Sequence, residues 1–120
     1  MASYFKVVKE IKTNSINFVI ESFHFQVERK NRREKIKRLV GVGNVITSFI
    51  IDKNHDKGFT RDYILDNGVV IVVNERTRKI VTEFIARPAQ IARYWNHNVP
   101  QEYQYIINLS KKWQKLGYID

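Results

Sequence analysis

Apolar residues in the first third of the chain recur three and four positions apart, which is the spacing of one face of an α-helix. This pattern predicts a helical N-terminal part over residues 4–40. A second pattern overlaps it between residues 16 and 28, where Phe23, Phe25 and Val27 alternate with polar residues, as in a half-buried strand. We favour the helix because the residues that follow, N-R-R-E-K-I-K-R-L-V, are good helix formers, and we expect Gly41 and Gly43 to end it.

The period changes to that of β-strands from Val45 onward. β-branched and aromatic residues dominate four runs separated by turn-forming residues, which predicts an antiparallel meander of about four strands. Between the second and third runs stands Asn67-Gly68, a strong hairpin signal. The third run is apolar throughout, as a central strand covered on both faces would be. The predicted strands are residues 45–52, 59–66, 68–74 and 79–86.

Two prolines predict helices in the last third of the chain. Pro88 suits the first turn of a short helix over residues 89–95. Pro100 precedes a second helix, whose apolar stripe ends at Gly117. The predicted fold class is therefore α+β, with an N-terminal helix or helices, the four-stranded antiparallel meander and two C-terminal helices. We expect one domain over residues 1–120, made of a basic helical part (1–43), the sheet (44–87) and a helical C-terminal part (88–120).

Composition adds a charge imbalance to this picture. The 120 residues carry a formal net charge of +9 and a pI near 9.9, which favours polyanionic partners, nucleic acid above all and an anionic membrane surface or an acidic protein behind it. The lack of cysteine excludes disulfides, thiolate zinc sites and a thiol nucleophile. No run approaches the ~20 apolar residues of a membrane span, and the N-terminus lacks a signal-peptide core. We therefore expect a cytoplasmic protein with no membrane partner, although a toxin domain cut from a larger secreted protein would show the same pattern.

The densest positive charge lies in residues 28–38, which contain seven cations and two acids and therefore carry a local charge of +5. Flexible cations at this density suffice for sequence-independent contacts to phosphates. A solvated helix surface explains the same pattern equally well. A smaller group of cations occupies the connection between the third and fourth predicted strands. The candidate nucleic-acid-binding residues are Arg29, Lys30, Arg32, Arg33, Lys37, Arg76, Arg78 and Lys79.

Candidate proton-transfer chemistry depends on His55, which lies in the polar turn D-K-N-H-D-K-G. Imidazole titrates near neutral pH and can give or take a proton there, whereas the alternative is a solvent-exposed loop histidine without a role. We interpret His24 and His97 as structural. The three histidines share no metal-ligand spacing, so we expect no metal or other cofactor. Turns and strand ends, more than a cation site, explain the aspartates Asp52, Asp56, Asp62 and Asp66.

Four polar residues, Arg61, Thr82, Glu83 and Arg87, are predicted to lie on or next to the sheet. Alternation along the fourth strand places Thr82 and Glu83 on opposite faces, with Thr82 on the same face as Ile80. A polar group among apolar neighbours lies at an edge, pairs with a cation or lines a site. The simplest alternative to a site is a cross-strand ion pair between Glu83 and Arg61.

A longer pattern connects these residues to a known superfamily. The unit G-V-V-I-V-V-N-x-x-T-x-K-I-V-T at residues 68–82, preceded by a turn histidine and predicted helices, resembles the barnase–EndoU–colicin–RelE superfamily of small ribonuclease toxins. The likeness covers about residues 45–87, and it implies a helical part packed on a four-stranded antiparallel sheet that cleaves RNA without metal. By this resemblance the catalytic residues are His55 as general acid or base, Arg61 and Arg87 as phosphate clamps, and Thr82 or Glu83 as the substrate-orienting or basic group.

A second resemblance lies in the segment I-A-R-P-x-Q-I-x-R-Y, residues 85–94, which is similar to small uncharacterised proteins of phages and mobile elements in Gram-positive bacteria. The expected function is a metal-independent ribonuclease-like domain whose partner is RNA rather than DNA. One alternative is a non-catalytic, basic nucleic-acid-binding accessory protein of a phage or mobile element. A further alternative is a protein-interaction or inhibitor module that docks an acidic partner.

Overall fold

A five-stranded antiparallel sheet with the strand order β1-β2-β3-β4-β5 forms the centre of the fold. The computed structural model describes residues 4–16, 30–54 and 58–119. Within these ranges the strands are β1 (Lys6–Ile11), β2 (Val45–Asn54), β3 (Gly58–Leu65), β4 (Val69–Asn74) and β5 (Ile80–Ile85). The helices are α1 (Lys30–Val40), α2 (Pro88–Ala92) and α3 (Gln104–Lys115), with 3-10 turns at Arg93–Trp95 and Gln101–Tyr103. The predicted α+β class is confirmed.

The prediction of helix from residue 4 onward was wrong for β1, which makes the sheet five-stranded rather than four-stranded. This strand pairs antiparallel with β2, so that Lys6 lies opposite Asp52 and Ile11 opposite Ser48. The Ser48 hydroxyl also donates to the Ile11 carbonyl at 2.7 Å. Pairing with a distant strand decides the conformation of this short segment, since strand preference depends strongly on tertiary context. Helix over residues 30–40 is confirmed, while the choice between helix and strand for residues 17–28 lies outside the described residues.

Both faces of the sheet are covered, which explains why β4 is apolar throughout and why Val69 to Val73 are all buried. We call the side packed by α2 and α3 the α3 face and the opposite side, packed by α1, the α1 face. Residues of the α3-face core include Phe49, Ile51, Ile64, Val70, Val72, Ile91, Tyr94 and Ile106. Those of the α1-face core are Ile36, Tyr63, Leu65, Val69, Ile71, Val73, Ile80 and Ile85.

Asn67 joins α1, the β3–β4 turn and α3. Its side-chain amide donates to the Gly41 carbonyl at 3.1 Å, just past the end of α1, and its Oδ1 accepts from the Val69 amide at 3.2 Å. Its own carbonyl accepts from the Trp113 indole at 2.8 Å. A Cβ atom at Gly43 would lie 2.4 Å from Asn67 Oδ1, so this close approach requires glycine. The predicted Asn-Gly turn is confirmed, and its asparagine also caps a neighbouring helix.

The C-terminal third follows the prolines as predicted. Pro88 begins α2, and Gly117, in the left-handed conformation at φ +79°, follows the end of α3. The buried Ser110 hydroxyl donates to the Ala86 carbonyl at 2.6 Å, which fixes α3 to the chain just beyond β5. None of the helices in the described ranges combines the length and apolar character that a membrane span requires.

Candidate functional site

Helix α1 carries six cations and one acid, and most of these cations face solvent. Ile36 is buried against the sheet, and Leu39 and Val40 are half-buried, since positions three and four apart share one side of a helix. The remaining sides consequently point outward. The exposed cations are Lys30, Arg32, Lys35, Lys37 and Arg38, and Glu34 is the one acid within the helix.

Arg33, predicted as a nucleic-acid contact, instead connects α1 to the sheet. Its Nε lies 3.1 Å from Oε1 of Glu83, whose side chain is 7% exposed. The neighbouring Arg32 donates from Nη1 to Thr82 Oγ1 at 3.5 Å. Glu83 therefore pairs with a cation, which is one of the three situations expected for a carboxylate among apolar neighbours. Its partner comes from the helix rather than from the next strand.

A groove of about 470 Å³ runs beside α1, between this helix, the end of β5, the start of α2 and the residues after α3. Arg32, Lys35 and Arg87 supply positive charge, and no acid is found among the described residues that line the groove. The other described lining residues are apolar, aromatic or amide-bearing: Asn31, Ile36, Leu39, Phe84, Ile85, Gln90, Tyr118 and Ile119. The groove therefore combines cations with apolar surface.

Arg87, a predicted phosphate clamp, lies where β5 gives way to α2. Its side chain is exposed and lines the groove. Its backbone amide donates to Oε1 of Gln90 at 2.8 Å, which positions Gln90 at the same end of the groove. Extended backbone at Arg87 followed by Pro88 as the first helical residue explains the sharp change of direction.

A β-bulge changes the predicted distribution of residues on β5. Val72 pairs with Thr82, but the next residue of β4, Val73, pairs with Ile80, so one residue of β5 is unpaired. Ile80 therefore belongs to the α1-face core, whereas Thr82 lies opposite Val72 of the α3-face core. The prediction that Ile80 and Thr82 share a face was wrong, because strict alternation fails across a bulge.

Arg61, the other predicted phosphate clamp, belongs to a separate cluster. Its Nη2 lies 3.2 Å from Oε1 of Glu75, and Oε2 of Glu75 lies 3.2 Å from Nη1 of Arg78. Arg78 has φ +61° and also donates to the Tyr63 hydroxyl at 3.0 Å. The ion pair proposed between Arg61 and Glu83 was therefore wrong. Arg61 pairs instead with Glu75, which the β4–β5 turn places closer to it than Glu83.

The sheet register shows how far Arg61 and Glu83 lie apart. Arg61 is in register with Val73, while Glu83 pairs with Ile71, two residues along β4 and one strand further across. Two strand spacings and two residues along a strand separate their Cα atoms by roughly 12 Å. Each charged group also has a nearer partner of opposite charge.

The structure thus divides the predicted site. Thr82, Glu83 and Arg87 lie beside α1, and Arg61 lies in the cluster with Glu75. At the β4–β5 turn, Arg76 and Lys79 are exposed and Arg78 is engaged with Glu75. His97 is exposed in the turn after Arg93–Trp95. His55, His24 and Arg29 lie outside the described residues.

The sequence patterns missed a buried polar network around Asp62 on the α3 face. Asp62 is fully buried in the middle of β3, so its interpretation as a turn or strand-end residue was wrong. Its carboxylate accepts hydrogen bonds at 2.6 Å from both the Tyr94 and Thr60 hydroxyls, and Lys53 Nζ lies 3.5 Å away. Burial, together with the negative charge of Asp62, raises the pKa of Tyr94 well above its usual value. Thr60, Asp62 and Ile64 are two positions apart in β3 and therefore share one face of the sheet. This spacing was the sequence signal that placed Asp62 on the same face as the apolar Ile64.

Within the described residues, no group of three or more His, Cys, Asp or Glu side chains is placed to hold a metal ion. Comparisons of the chain with protein-family models, with curated proteins and with solved structures gave no match. The described surface offers cations and an apolar groove beside α1.

Proposed function

We propose that the protein binds nucleic acid through a cationic surface formed by α1 and the groove beside it. The observation that carries this proposal is the row of exposed cations on α1, five side chains with Glu34 as the one acid of the helix. Phosphate contacts depend on flexible cations at high density rather than on a fixed pocket. Arg87 extends the positive surface beyond the helix into the groove.

Binding is favoured over cleavage by the positions of the candidate catalytic groups. RNA cleavage by the 2′-hydroxyl requires a base, an acid and cations that converge on one phosphate. Glu83 is buried against Arg33, and Arg61 is paired with Glu75. By sheet geometry the Cα atoms of Glu83 and Arg61 lie roughly 12 Å apart. Ribonuclease activity remains a prediction that depends on His55.

The binding proposal is tested by measuring the fluorescence anisotropy of labelled RNA and DNA oligonucleotides during a salt titration. Replacing Lys30 and Arg38 by glutamine removes two exposed cations that lie outside the groove. For a single strand, loss of two phosphate contacts makes the negative slope of log K against log salt shallower by about 1.4 and weakens binding roughly tenfold or more near 0.1 M salt.

The matched control replaces Lys111 and Lys115, two exposed cations of α3, by glutamine and changes the net charge equally. We expect the control to retain most of its affinity. Equal losses in both double variants, or affinity that does not change between about 50 and 200 mM salt, would contradict a binding surface on α1.

The same preparations test cleavage. Total RNA incubated with the protein in EDTA should remain intact if the protein only binds. Degradation that is abolished by His55→Ala, with an unchanged unfolding midpoint, would establish the ribonuclease alternative instead.

A further inference from the structure

The groove beside α1 differs chemically from the cationic surface that it adjoins. Phosphate contacts alone require cations, whereas this groove also contains two aromatic side chains, Phe84 and Tyr118, and two amide side chains, Asn31 and Gln90. Its volume of about 470 Å³ falls in the range of small-molecule sites. These features provide aromatic surface for a planar group and hydrogen-bonding groups for its edge.

The Tyr118 ring is held in place by its neighbours. It stacks on Trp113, with ring centroids 5.6 Å apart and an interplanar angle of 25°. The Trp113 indole is fixed in turn by its 2.8 Å hydrogen bond to the Asn67 carbonyl, and the Tyr118 amide donates to the Trp113 carbonyl at 2.9 Å. An aromatic ring with this support loses little freedom when a ligand stacks on it.

We infer that this groove accepts an unpaired base of a single-stranded nucleic acid, with the adjoining phosphates on Arg32, Lys35 and Arg87. The inference rests on the proposed function and adds a preference for strand form. Bases of a single strand are free to leave the chain and stack on aromatic side chains, whereas those of a duplex are stacked on each other. Continuity with the exposed cations of α1 lets the rest of the strand follow the helix.

An acidic amphipathic peptide is the other occupant that this charge pattern allows. The nucleic acid is favoured because the groove contains both aromatic and amide side chains and opens onto a helix with a local charge of +5. A peptide would require only the aliphatic lining and the three groove cations. Removing the aromatic ring of Tyr118, or a base of the ligand, should therefore weaken nucleic-acid binding, whereas a peptide that uses the aliphatic lining does not depend on either.

The experiment compares three labelled ligands by fluorescence anisotropy: a mixed-sequence single strand, its duplex, and the same single strand with abasic sites and intact phosphates. We expect the intact single strand to bind best. Tyr118→Ala should weaken it roughly five- to 150-fold, the range for loss of one base–aromatic stack, and leave duplex affinity unchanged. Tyr118→Phe should retain the affinity, and Tyr105→Ala, on a half-exposed ring of α3, is the control.

A second variant keeps the test independent of the packing of Tyr118. Replacing the exposed Lys35 and Arg87 by glutamine removes two groove cations and should weaken the single strand more than the duplex. Equal binding of all three ligands would overturn the inference, and so would equal effects of Tyr118→Ala and Tyr105→Ala. The inference would also fail if the groove substitutions weakened binding of an acidic amphipathic peptide but not of the single strand. If the Lys30 and Arg38 substitutions still weaken all ligands in that case, the proposed function stands and only the base site fails.

Discussion

Replacing Tyr94 by phenylalanine tests whether the buried network around Asp62 stabilises the fold. The substitution removes one oxygen, which lies 2.6 Å from Oδ2 of a fully buried carboxylate. It keeps the ring, whose centroid lies 5.2 Å from that of Phe5 and 5.1 Å from that of Phe49. The expected loss is therefore that of a single hydrogen bond to a charged acceptor.

Such a bond contributes about 1.5–3 kcal/mol to the free energy of unfolding, and its removal leaves Asp62 with less compensation for burial. For a domain of this size, that loss lowers the unfolding midpoint temperature by roughly 5 to 15 °C. Urea denaturation followed by circular dichroism measures the free energy directly. Tyr105→Phe removes the same atom from a ring that is 50% exposed, and we expect a change within about 0.5 kcal/mol. A Tyr94→Phe loss no larger than that of the control would show that the bond between Tyr94 and Asp62 does not stabilise the fold.

The pH dependence of this loss has a definite sign. Burial and the negative charge of Asp62 raise the pKa of Tyr94 above its usual value of 10.0, so the folded protein retains the hydroxyl proton where the unfolded chain loses it. The contribution of the Tyr94 hydroxyl to the free energy of unfolding is complete below about pH 10. It falls as the pH rises above this value, by up to about 1.4 kcal/mol per pH unit. The difference in unfolding free energy between the wild type and Tyr94→Phe should therefore shrink in alkaline solution. A constant difference would contradict the assigned direction.

Two further substitutions test the other structural contacts by urea denaturation. Gly43→Ala places a Cβ 2.4 Å from Asn67 Oδ1, so we expect the free energy of unfolding to fall by about 1–3 kcal/mol. The control is Val42→Ala, at an exposed position. An equal change in both variants would contradict the close approach. Glu75→Gln removes the charge that lies between Arg61 and Arg78. We expect the free energy of unfolding to fall by about 1–2 kcal/mol, and this loss should decrease with added salt. The control, Glu34→Gln at an exposed position, should change it little. A loss that is independent of salt would argue against an ionic origin.

Local patterns were sufficient for the strands from Val45 onward. Their boundaries follow from turn-forming residues such as Asn67-Gly68, and the apolar run of β4 follows from burial on both faces. The glycine that ends α1, Gly41, has φ +78°, a conformation that few other residues adopt. Each of these features depends on residues that are close in sequence, which is why the pattern reveals them.

Features that depend on distant partners could not be predicted in this way. β1 is a strand because β2, some forty residues later, offers an edge to it. The partner of Glu83 comes from α1, and the bulge in β5 reverses the alternation that placed Ile80 with Thr82. Asp62 shows the same limit, since the polar groups of Lys53, Thr60 and Tyr94 meet at its carboxylate only after the strands and the helical segment have packed.

The cationic surface and the groove have a common structural origin in the way α1 packs. Its 11 residues span about 16 Å and contact the sheet along one ridge, formed by Arg33, Ile36 and the half-buried Leu39 and Val40. A helix held along one ridge leaves space on both sides, and these spaces are the 470 Å³ groove and a second one of about 210 Å³. The same contact directs the other cations of α1 outward. A nucleic-acid strand that follows these cations would therefore pass the mouth of the larger groove, which is the arrangement that binding of an unpaired base requires.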